Sequence, residues 1–289
     1  MDLRDEVAMA GGTLAEKVGA EAIIIISPDG RKIMRSLKTK LPVILARIDS
    51  EVSDGDEPSV DIYSKVLQNA ERESMFLKVS RIELMSEAVE AAYIKGKIGD
   101  KIVLGIVSIG DVHSIVVVNL SDIPFIRKIA DLAATVDYTI LKAVLNLSIE
   151  IGQEGREGKP IGTAFVIGDT EKVLRRSHQL ILNPFAGHMS DVRDIRNEKN
   201  WEAIKEFAQL DGMFVVDNNG FIVSAGRYID ASAKGVEMMP GMGGRHLAAA
   251  AITMHTSSVA ITVSGSGGII TVYKDGQEVF RLNPRISIT

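Results

Sequence analysis

The sequence contains no cysteine. Disulfide bridges, cysteine-ligated zinc or iron–sulfur centres and a thiol nucleophile are therefore excluded, and the composition fits a reducing cytosol. Long apolar runs are also missing. Aliphatic runs such as Ala22–Ile26 and Ile115–Val118 are strand-sized, far short of the ~18–20 residues needed to span a bilayer. The first residues are charged with both signs and do not resemble a signal peptide. We predict a cytoplasmic protein without a membrane partner.

The charge balance also limits the partners. Lys and Arg total 33 against 38 Asp and Glu, a net charge of −5, which argues against a surface built to grip nucleic acid. Hydrophobic residues make up 46% and charged residues 25%, as in ordinary globular proteins. A chain of 289 residues is long enough for about two domains.

Residues 1–122 alternate between helical and strand patterns, which indicates an α/β layer with a largely parallel sheet. The small-residue helix Ala8–Ala15, the strand Ala22–Ile26, a glycine turn with Arg31 and the strand that follows Leu41 resemble the C-terminal α/β domain of pyruvate kinases. The likeness is a pattern of elements rather than a sharp motif. We interpret this region as a regulatory or assembly domain.

The second predicted domain covers residues 123–289. It begins with one long helical stretch, about Phe125–Ile151, whose apolar residues recur every three or four positions. Short strands separated by glycine-bearing loops follow. The turn Asp217–Gly220 predicts a hairpin because Asn-Gly supplies positive φ angles.

The segment Gly241–His246 combines glycines, a fixed cation and an imidazole ahead of an Ala-rich helix. Gly243 and Gly244 allow backbone N–H groups to approach an anion, and the helix N-terminus adds unpaired donors. Arg245 offers a planar fork for phosphate oxygens. The pattern predicts a phosphate-binding corner. The equally weighted alternative is a flexible loop that caps a helix, with Arg245 exposed and His246 packed.

Other segments carry weaker signals. Asp211 precedes an apolar strand and could hold Mg²⁺ or Mn²⁺ against phosphates, although an acid in such a turn is common. Ser264 opens a Gly/Ser loop whose amides could bind phosphate, and Tyr228 could stack on a base. An ordinary loop and a rim tyrosine are the simpler interpretations. The remaining histidines, which show no metal-ligand spacing, are His113, His178, His188 and His255.

Taken in order, these motifs resemble the diadenylate cyclase (DAC) domain. The motifs follow the order Asp-Gly-hydrophobe, then Gly-Arg-His about thirty residues later, then Val-Ser-Gly. Further upstream, three segments match the family's opening strand and following helix: Gly155–Thr163, Phe165–Asp169 and Leu182–Phe185. The likeness covers about residues 125–280. It implies an α/β fold of two parts, a pyruvate-kinase-like domain followed by a DAC-type mixed β-sheet domain flanked by helices.

The resemblance implies that two ATP molecules are condensed into cyclic di-AMP with release of two pyrophosphates. Two catalytic domains of a homo-oligomer would meet face to face. The divalent metal would be Mn²⁺, with Mg²⁺ and Co²⁺ as alternatives, bound by Asp211. The implied catalytic residues are Asp211, Gly212, Arg245 and His246, and the implied nucleotide-binding residues are Met213, Tyr228, Ile229, Gly243, Gly244 and Ser264.

The sequence departs from the family pattern at three places. Met213 stands where alanine is usual, and Gly244 and Leu247 replace the threonine and second arginine of Gly-Thr-Arg-His-Arg. Gly265 and Ser266 stand where an acid often follows the loop serine. These changes motivate a second hypothesis, a nucleotide-binding sensor with little or no turnover. The third, a plain α/β scaffold, requires several ordered motifs to arise by chance.

Overall fold

The computed structural model describes residues 2–48, 73–156, 159–236, 243–284 and 286–288. The predicted loop 51–61, most of the predicted helix 61–76, the residues Gly241 and Met242, and the pair 157–158 lie outside these ranges. The chain forms two compact units, Met1–Ile126 with Arg285–Thr289, and Arg127–Pro284. Among the described residues, no helix has both the length and the apolar character that crossing a bilayer requires.

The first unit contains a five-stranded sheet with helices on both faces. Its helices are α1 (Leu3–Lys17), α2 (Gly30–Ser36) and α3 (Glu73–Ile94), and its strands are β1 (Ala22–Ile26), β2 (Val43–Ile48), β3 (Ile102–Ile109), β4 (Val112–Asn119) and β12 (Ile286–Ile288). The sheet order is β12-β2-β1-β3-β4. The fully buried strand β1 lies at the centre, as its all-apolar sequence requires.

Small residues allow α1 to lie close to this sheet. Its buried positions are Ala8, Gly11, Gly12 and Ala15. A Cβ on Gly11 would lie 2.9 Å from the Cδ1 of Ile106 on β3, so a larger residue would push the helix outwards. The small-residue helix predicted from the sequence is therefore a packing surface.

The sheet is mixed rather than largely parallel. Strands β2 and β3 run parallel to β1, but β4 pairs antiparallel with β3. The cause is a two-residue turn, because Ile109 pairs with Val112 and Gly110 takes a φ of +58°. The other edge strand, β12, is antiparallel to β2. Its return moves residues 285–289 from the predicted second domain into the first unit.

The second unit carries a seven-stranded sheet of order β11-β10-β9-β5-β7-β8-β6. Its strands are β5 (Thr163–Ile167), β6 (Ser177–Gln179), β7 (Met213–Val216), β8 (Ile222–Ile229), β9 (Val259–Val263), β10 (Ile270–Lys274) and β11 (Gln277–Leu282). Its helices are α4 (Pro124–Ala133, which begins in the first unit), α5 (Tyr138–Glu154), α6 (Thr170–Arg175), α7 (Ser190–Arg193), α8 (Trp201–Phe207) and α9 (Gly244–His255).

The long helix predicted over 125–151 is two helices. The Asp137 side chain accepts hydrogen bonds from the N–H groups of Thr139 and Ile140 and so begins α5. The pKa of Asp137 is lowered mainly by a hydrogen bond from the Thr139 hydroxyl, and these backbone hydrogen bonds add to the effect. An N-cap residue has non-helical backbone angles, and the apolar periodicity that continues on both sides concealed it. Short elements were missed as well, including β6 and α6.

A buried lysine connects α5 to α8, the helix that leads to Asp211. The side chain of Lys205 is only 4% exposed, and its Nζ lies 2.9 Å from Glu150, 2.8 Å from Glu154 and 3.0 Å from Glu202. Arg156 extends the network by pairing with Glu202 and Glu206. The carboxylates raise the pKa of Lys205 well above its ordinary value despite the opposing effect of burial, which is the largest single influence.

We predict that Lys205→Met destabilises the protein by about 2–3 kcal/mol at pH 7, since removal of one partner of a buried ion pair leaves charges uncompensated and the exposed carboxylates reduce the loss. Lys205 stays protonated at every pH below 10. The lowered pKa of Glu202, caused first by its hydrogen bond from Lys205, gives stability that is present above pH 4.5 and lost as the pH falls below it. Chemical denaturation at pH 7 and pH 4 should therefore show a smaller deficit at pH 4.

The matched control is Lys199→Met, which removes an exposed lysine from the 3-10 turn before α8. It should change the free energy of unfolding by less than about 0.5 kcal/mol. A Lys205→Met deficit that stays constant across this pH range would contradict the electrostatic explanation.

Candidate active site

The topology of the second sheet gathers the predicted site residues at one edge. Thr163 at the start of β5 pairs with Val263 at the end of β9, and Met213 at the start of β7 pairs with Arg227 near the end of β8. Because β5 and β7 are parallel, their amino ends and the carboxyl ends of β8 and β9 meet. The flanking residues Gly162, Asp211, Gly212, Tyr228, Ile229 and Ser264 therefore share this edge.

Gly212 has a backbone that no other residue fits. Its φ is +101°, and a Cβ there would lie 2.6 Å from the backbone N of Arg227 and the carbonyl carbon of Gly226. Both atoms belong to β8, so neither can move without breaking the strand. Gly212 thus sets the close approach of the Asp211 turn to β8.

Arg245 and Asp211 contact each other across this edge. The Arg245 Nη2 lies 3.2 Å from the Asp211 Oδ1, and the Asp211 side chain is 89% exposed. The Arg245 Nε is buried and has no hydrogen-bond partner among the residues that the structure describes. An accessible carboxylate beside a guanidinium with an unused donor can meet both a cation and phosphate oxygens.

Arg245 also borders the serine loop. An ideal Cβ on Gly162 would lie 3.5 Å from the Arg245 Nη1 and 3.0 Å from the backbone N of Gly265. The guanidinium, the start of β5 and the loop after β9 therefore converge. The loop itself is fixed by the backbone, since Ser264 N–H donates to Ile269 O at 2.9 Å and a Cβ on Gly152 of α5 would lie 2.5 Å from Gly268 O.

The first turn of α9 adds backbone donors. Gly243 is its N-cap residue, with extended backbone angles and no side-chain hydrogen bond to the helix, and Gly244 is its first residue. A Cβ on either glycine would meet no atom of the described residues within 4 Å. This open helix N-terminus can accept an anion. Leu247, in the position of the family's second arginine, lies in the same turn and is 37% exposed.

His246 points partly into the protein rather than wholly into the site. Its Nδ1 lies 2.9 Å from the Tyr273 hydroxyl and 3.1 Å from the Thr262 Oγ1, which leaves Nε2 for any ligand. Burial is the main cause of the lowered pKa of His246, and it raises the pKa of Tyr273 to about 12. The imidazole is therefore held neutral above a buried tyrosine that stays protonated.

The predicted adenine residues lie at the end of β8, which extends further than the sequence predicts and includes Tyr228. Tyr228 is 54% exposed, and its ring centroid is 5.3 Å from that of His178 on the neighbouring edge strand β6. The side chains of Ile229 and Met213 are buried in the core cluster beneath α9. Only the backbone of these two residues is placed to meet a nucleotide.

Arg227 is a residue of this region that sequence reasoning missed. It donates from Nε to the Ser177 Oγ at 2.9 Å and from Nη2 to the carbonyls of Leu174 and Ser177 at 3.0 and 2.6 Å. It thereby fixes β6 and α6 to β8, the strand that carries Tyr228. The only available signal was a charged residue within an otherwise apolar strand.

The described residues could hold a divalent cation only if a bound ligand supplied some of the coordinating oxygens. In the part of the chain that the structure describes, no group of three or more acidic or histidine side chains could hold a metal ion. Mg²⁺-type ions commonly use one or two carboxylates and complete their coordination with phosphate oxygens and water. Asp211, with its exposed carboxylate, could supply one such ligand.

An open helix N-terminus, an arginine fork and glycine-lined strand ends are typical of an α/β domain that binds phosphate groups. Residues 150–278 match the family model described as "DisA bacterial checkpoint controller nucleotide-binding", DAC. Over these residues the chain is similar to the DAC nucleotide-binding family. Residues 7–121 match the model described as "Probable sensor domain DacZ_A", so the pyruvate-kinase likeness of the first unit stays a prediction.

Two curated relatives carry the name diadenylate cyclase. That of Methanocaldococcus jannaschii is 44% identical over 182 residues, which are 62% of this chain and 58% of the relative. That of Haloferax volcanii is 40% identical over 149 residues, 51% of this chain and 54% of the relative. The chain spans little more than half the length of the curated relatives it matches.

Solved structures are more distant. A crystal structure of DacA from Staphylococcus aureus is 19% identical with a TM-score of 0.36 and covers 49% of this chain and 85% of that one. A hypothetical membrane-spanning protein from Bacillus cereus is 17% identical with a TM-score of 0.40, covering 76% and 88%. Both TM-scores are below 0.5.

We predict that Gly212→Ala disrupts the site, because the positive φ alone costs an L-residue about 1–2 kcal/mol and the new Cβ meets backbone on β8. Thermal unfolding should show a lowered Tm, and calorimetric titration should show weakened ATP binding. Gly110→Ala, in the turn between β3 and β4, is the matched control, since this glycine also has a positive φ of +58° but no described atom within 4 Å of an added Cβ. Equal effects of the two substitutions would contradict the assigned role of Gly212.

We predict that His246→Gln flattens the pH dependence of stability between pH 7 and 5. Because the pKa of His246 is lowered in the folded state from 6.5, its neutral form contributes stability that is present above pH 6.5 and lost as the pH falls through the folded pKa. Glutamine has no such titration. Urea unfolding across this range should test it, with the exposed His188→Gln as control; parallel curves for His246→Gln and wild type would refute it.

Proposed function

We propose that this chain is a diadenylate cyclase, which joins two ATP molecules into cyclic di-AMP. In each half of the reaction a 3′-oxygen attacks the α-phosphorus of the facing ATP, a new phosphodiester bond forms and pyrophosphate leaves. The family of residues 150–278 and the names of its relatives support this activity. The observation that carries it is the Asp211–Arg245 contact beside the open N-terminus of α9.

Phosphoryl transfer requires mostly alignment of the reacting groups and neutralisation of charge, and the site residues would share these two tasks. Arg245 would release Asp211 and donate its fork to phosphate oxygens, with the amides of Gly244 and the Ser264 loop as further donors. His246 would contribute through Nε2 and, held by Tyr273, would orient the first turn of α9. Tyr228 would lie against adenine, and the backbone of Ile229 would read the edge of the base.

The divalent metal belongs to this proposal. Mn²⁺, with Mg²⁺ and Co²⁺ as alternatives, would be held by Asp211 together with substrate oxygens. When bound, it supplies positive charge at the reacting phosphate. Asp211 also lies where it could accept the proton of the attacking hydroxyl.

The reaction imposes an assembly. One domain holds one ATP, so two copies would have to face each other across a two-fold axis. We therefore propose a homo-oligomer located in the cytoplasm, where its substrate is found. The first unit would act as a pyruvate-kinase-like regulatory or assembly domain. Its mixed sheet and the match of residues 7–121 to the model described as "Probable sensor domain DacZ_A" support this role.

A second candidate is a nucleotide-binding sensor with little or no turnover. It is favoured by Leu247 and Gly265, which remove a cation and an acid from the family pattern while leaving Asp211 and Arg245 in contact. The two functions differ in product formation and not in nucleotide binding.

The test is incubation of the purified chain with ATP and Mn²⁺, Mg²⁺ or Co²⁺, with products identified by mass spectrometry. We expect cyclic di-AMP and pyrophosphate in a ratio of one to two. Asp211→Asn should lower the rate by at least about 100-fold, the usual loss when one group that stabilises the transition state is removed. The exposed Asp191→Asn on α7 should leave the rate unchanged.

Three outcomes separate the candidates. Product from the wild type but not from Asp211→Asn supports the cyclase. Saturable ATP binding without product under all three metals supports the sensor. Absence of nucleotide binding would overturn both.

A further inference from the structure

Three side chains meet at the sheet edge that carries Tyr228. In the pairing of β6 with β8, His178 lies directly opposite Tyr228, and the two ring centroids are 5.3 Å apart with an angle of 38° between the planes. Asp230 follows the end of β8, and its Oδ1 and Oδ2 lie 3.0 and 2.9 Å from the His178 Nδ1. All three residues are about half exposed, so a ligand can reach them.

The contact between His178 and Asp230 fixes the orientation of the imidazole. A carboxylate only accepts hydrogen bonds, so the Nδ1 of His178 carries a proton and donates it. Such a bond on one nitrogen sets both the tautomer and the direction of the ring. An exposed pair of this kind contributes little to the stability of a protein, so stability does not explain its position beside Tyr228.

The backbone beneath this pair is held in place. The N–H of Asp230 donates to the carbonyl of Arg176 at 2.8 Å. Ser177, the residue before His178, accepts a hydrogen bond on its Oγ from the Arg227 Nε at 2.9 Å. The start of β6 and the end of β8 are therefore fixed to each other, and the exposed imidazole and carboxylate extend from a rigid base.

The sheet order gives Tyr228 two different sides. Strand β8 lies between β6 and β7, so His178 is on the β6 side of Tyr228. On the other side, β7 begins at Met213, which pairs with Arg227, and the turn that carries Asp211 precedes it. Tyr228 thus has the imidazole on one side and the proposed nucleotide site on the other.

We propose that His178 is a positioning residue for the nucleobase and acts through Tyr228. The imidazole, directed by Asp230, keeps the Tyr228 ring in the orientation that packs against adenine. A ring that is held before binding loses less freedom when the ligand arrives, so the ligand binds more tightly. This role rests on the proposed function only in that a purine nucleotide occupies the site, and it does not require turnover.

The first test separates the base contact from the phosphate contacts. Calorimetric titration with Mg²⁺ present would use 3′-deoxyATP, which lacks the attacking hydroxyl and cannot react, and inorganic triphosphate, which lacks the base. We expect His178→Ala to raise the Kd of 3′-deoxyATP about three- to tenfold, the contribution of one aromatic pair. The Kd of triphosphate should not change. Equal losses for both ligands would refute the proposal, because they would indicate general damage to the site.

His188→Ala is the matched control. Arg193 donates hydrogen bonds to the carbonyls of His188 and Ile222, so this exposed histidine lies near the start of β8. Tyr228 is near the other end of that strand, roughly 20 Å away at the rise of an extended chain. His188→Ala should therefore change the Kd of neither ligand.

A double-mutant cycle tests whether His178 acts through Tyr228. Tyr228→Ala alone should weaken 3′-deoxyATP binding by about 5- to 150-fold, the usual effect of removing an aromatic ring from a base. In that background His178→Ala should cause no further loss, because residues that act through one contact are not additive. An undiminished loss would mean that the imidazole touches the nucleotide itself, and it would overturn the positioning role.

The role of Asp230 has a spectroscopic signature. Nitrogen NMR spectra in alkaline buffer, with the His178 signals assigned by their loss in His178→Ala, should show the proton on Nδ1. Asp230→Ala should shift it towards Nε2 and weaken 3′-deoxyATP binding. Asp230→Asn, whose amide oxygen still accepts from Nδ1, should restore both. A tautomer that is the same in wild type and Asp230→Ala would contradict the role of the carboxylate.

Failure of this proposal can be distinguished from failure of the proposed function. A wild type that binds 3′-deoxyATP but forms no cyclic di-AMP from ATP would refute the cyclase alone, and a selective loss of 3′-deoxyATP binding in His178→Ala would still support the positioning role. Product formation together with unchanged 3′-deoxyATP binding in His178→Ala would refute the positioning role alone. Absence of all nucleotide binding would overturn both.

Discussion

The proposed site of the second unit depends on places where two backbone segments pack directly against each other at a glycine. Gly212 against β8, Gly162 against Gly265, and Gly152 against Gly268 each bring a loop to a distance that a Cβ would prevent. These contacts fix the backbone at this edge of the sheet, and the charged side chains extend from that backbone. Alignment is the main demand of phosphoryl transfer, so the glycines are as important to the proposed chemistry as the side chains that touch phosphate.

The charges of the proposed site satisfy one another. Asp211 and Arg245 contact each other although both are at least one-third exposed, a pairing worth little in water. The phosphates of the proposed substrate would therefore displace it at small cost. His246 is different, because its inward hydrogen bond to Tyr273 holds the first turn of α9 against the sheet. The proposed site thus combines a weakly held ion pair with a firmly held first turn of α9.

Sequence reasoning located most strands and the order of the site motifs, because apolar runs and glycine turns are local signals. It joined α4 and α5 because apolar periodicity continues across Asp137, and it missed β6 because a three-residue strand has no pattern of its own. The inward turn of His246 and the anchoring role of Arg227 depend on residues far away in the chain. Such contacts exist only after folding, so the motif could not show that the His246 imidazole bonds to Tyr273, and its contact with phosphate stays a prediction.

The return of the chain to β12 makes the second unit an insertion within the first. The first sheet is complete only when residues 286–288 have crossed back to pair with β2. Two chain passages therefore join the units, as in domains acquired by insertion rather than by end-to-end fusion. A recombination event with one breakpoint near residue 126 would replace β12 together with the second unit. The first sheet would then end at β2 with an unpaired edge, and such an edge is prone to pairing with other chains.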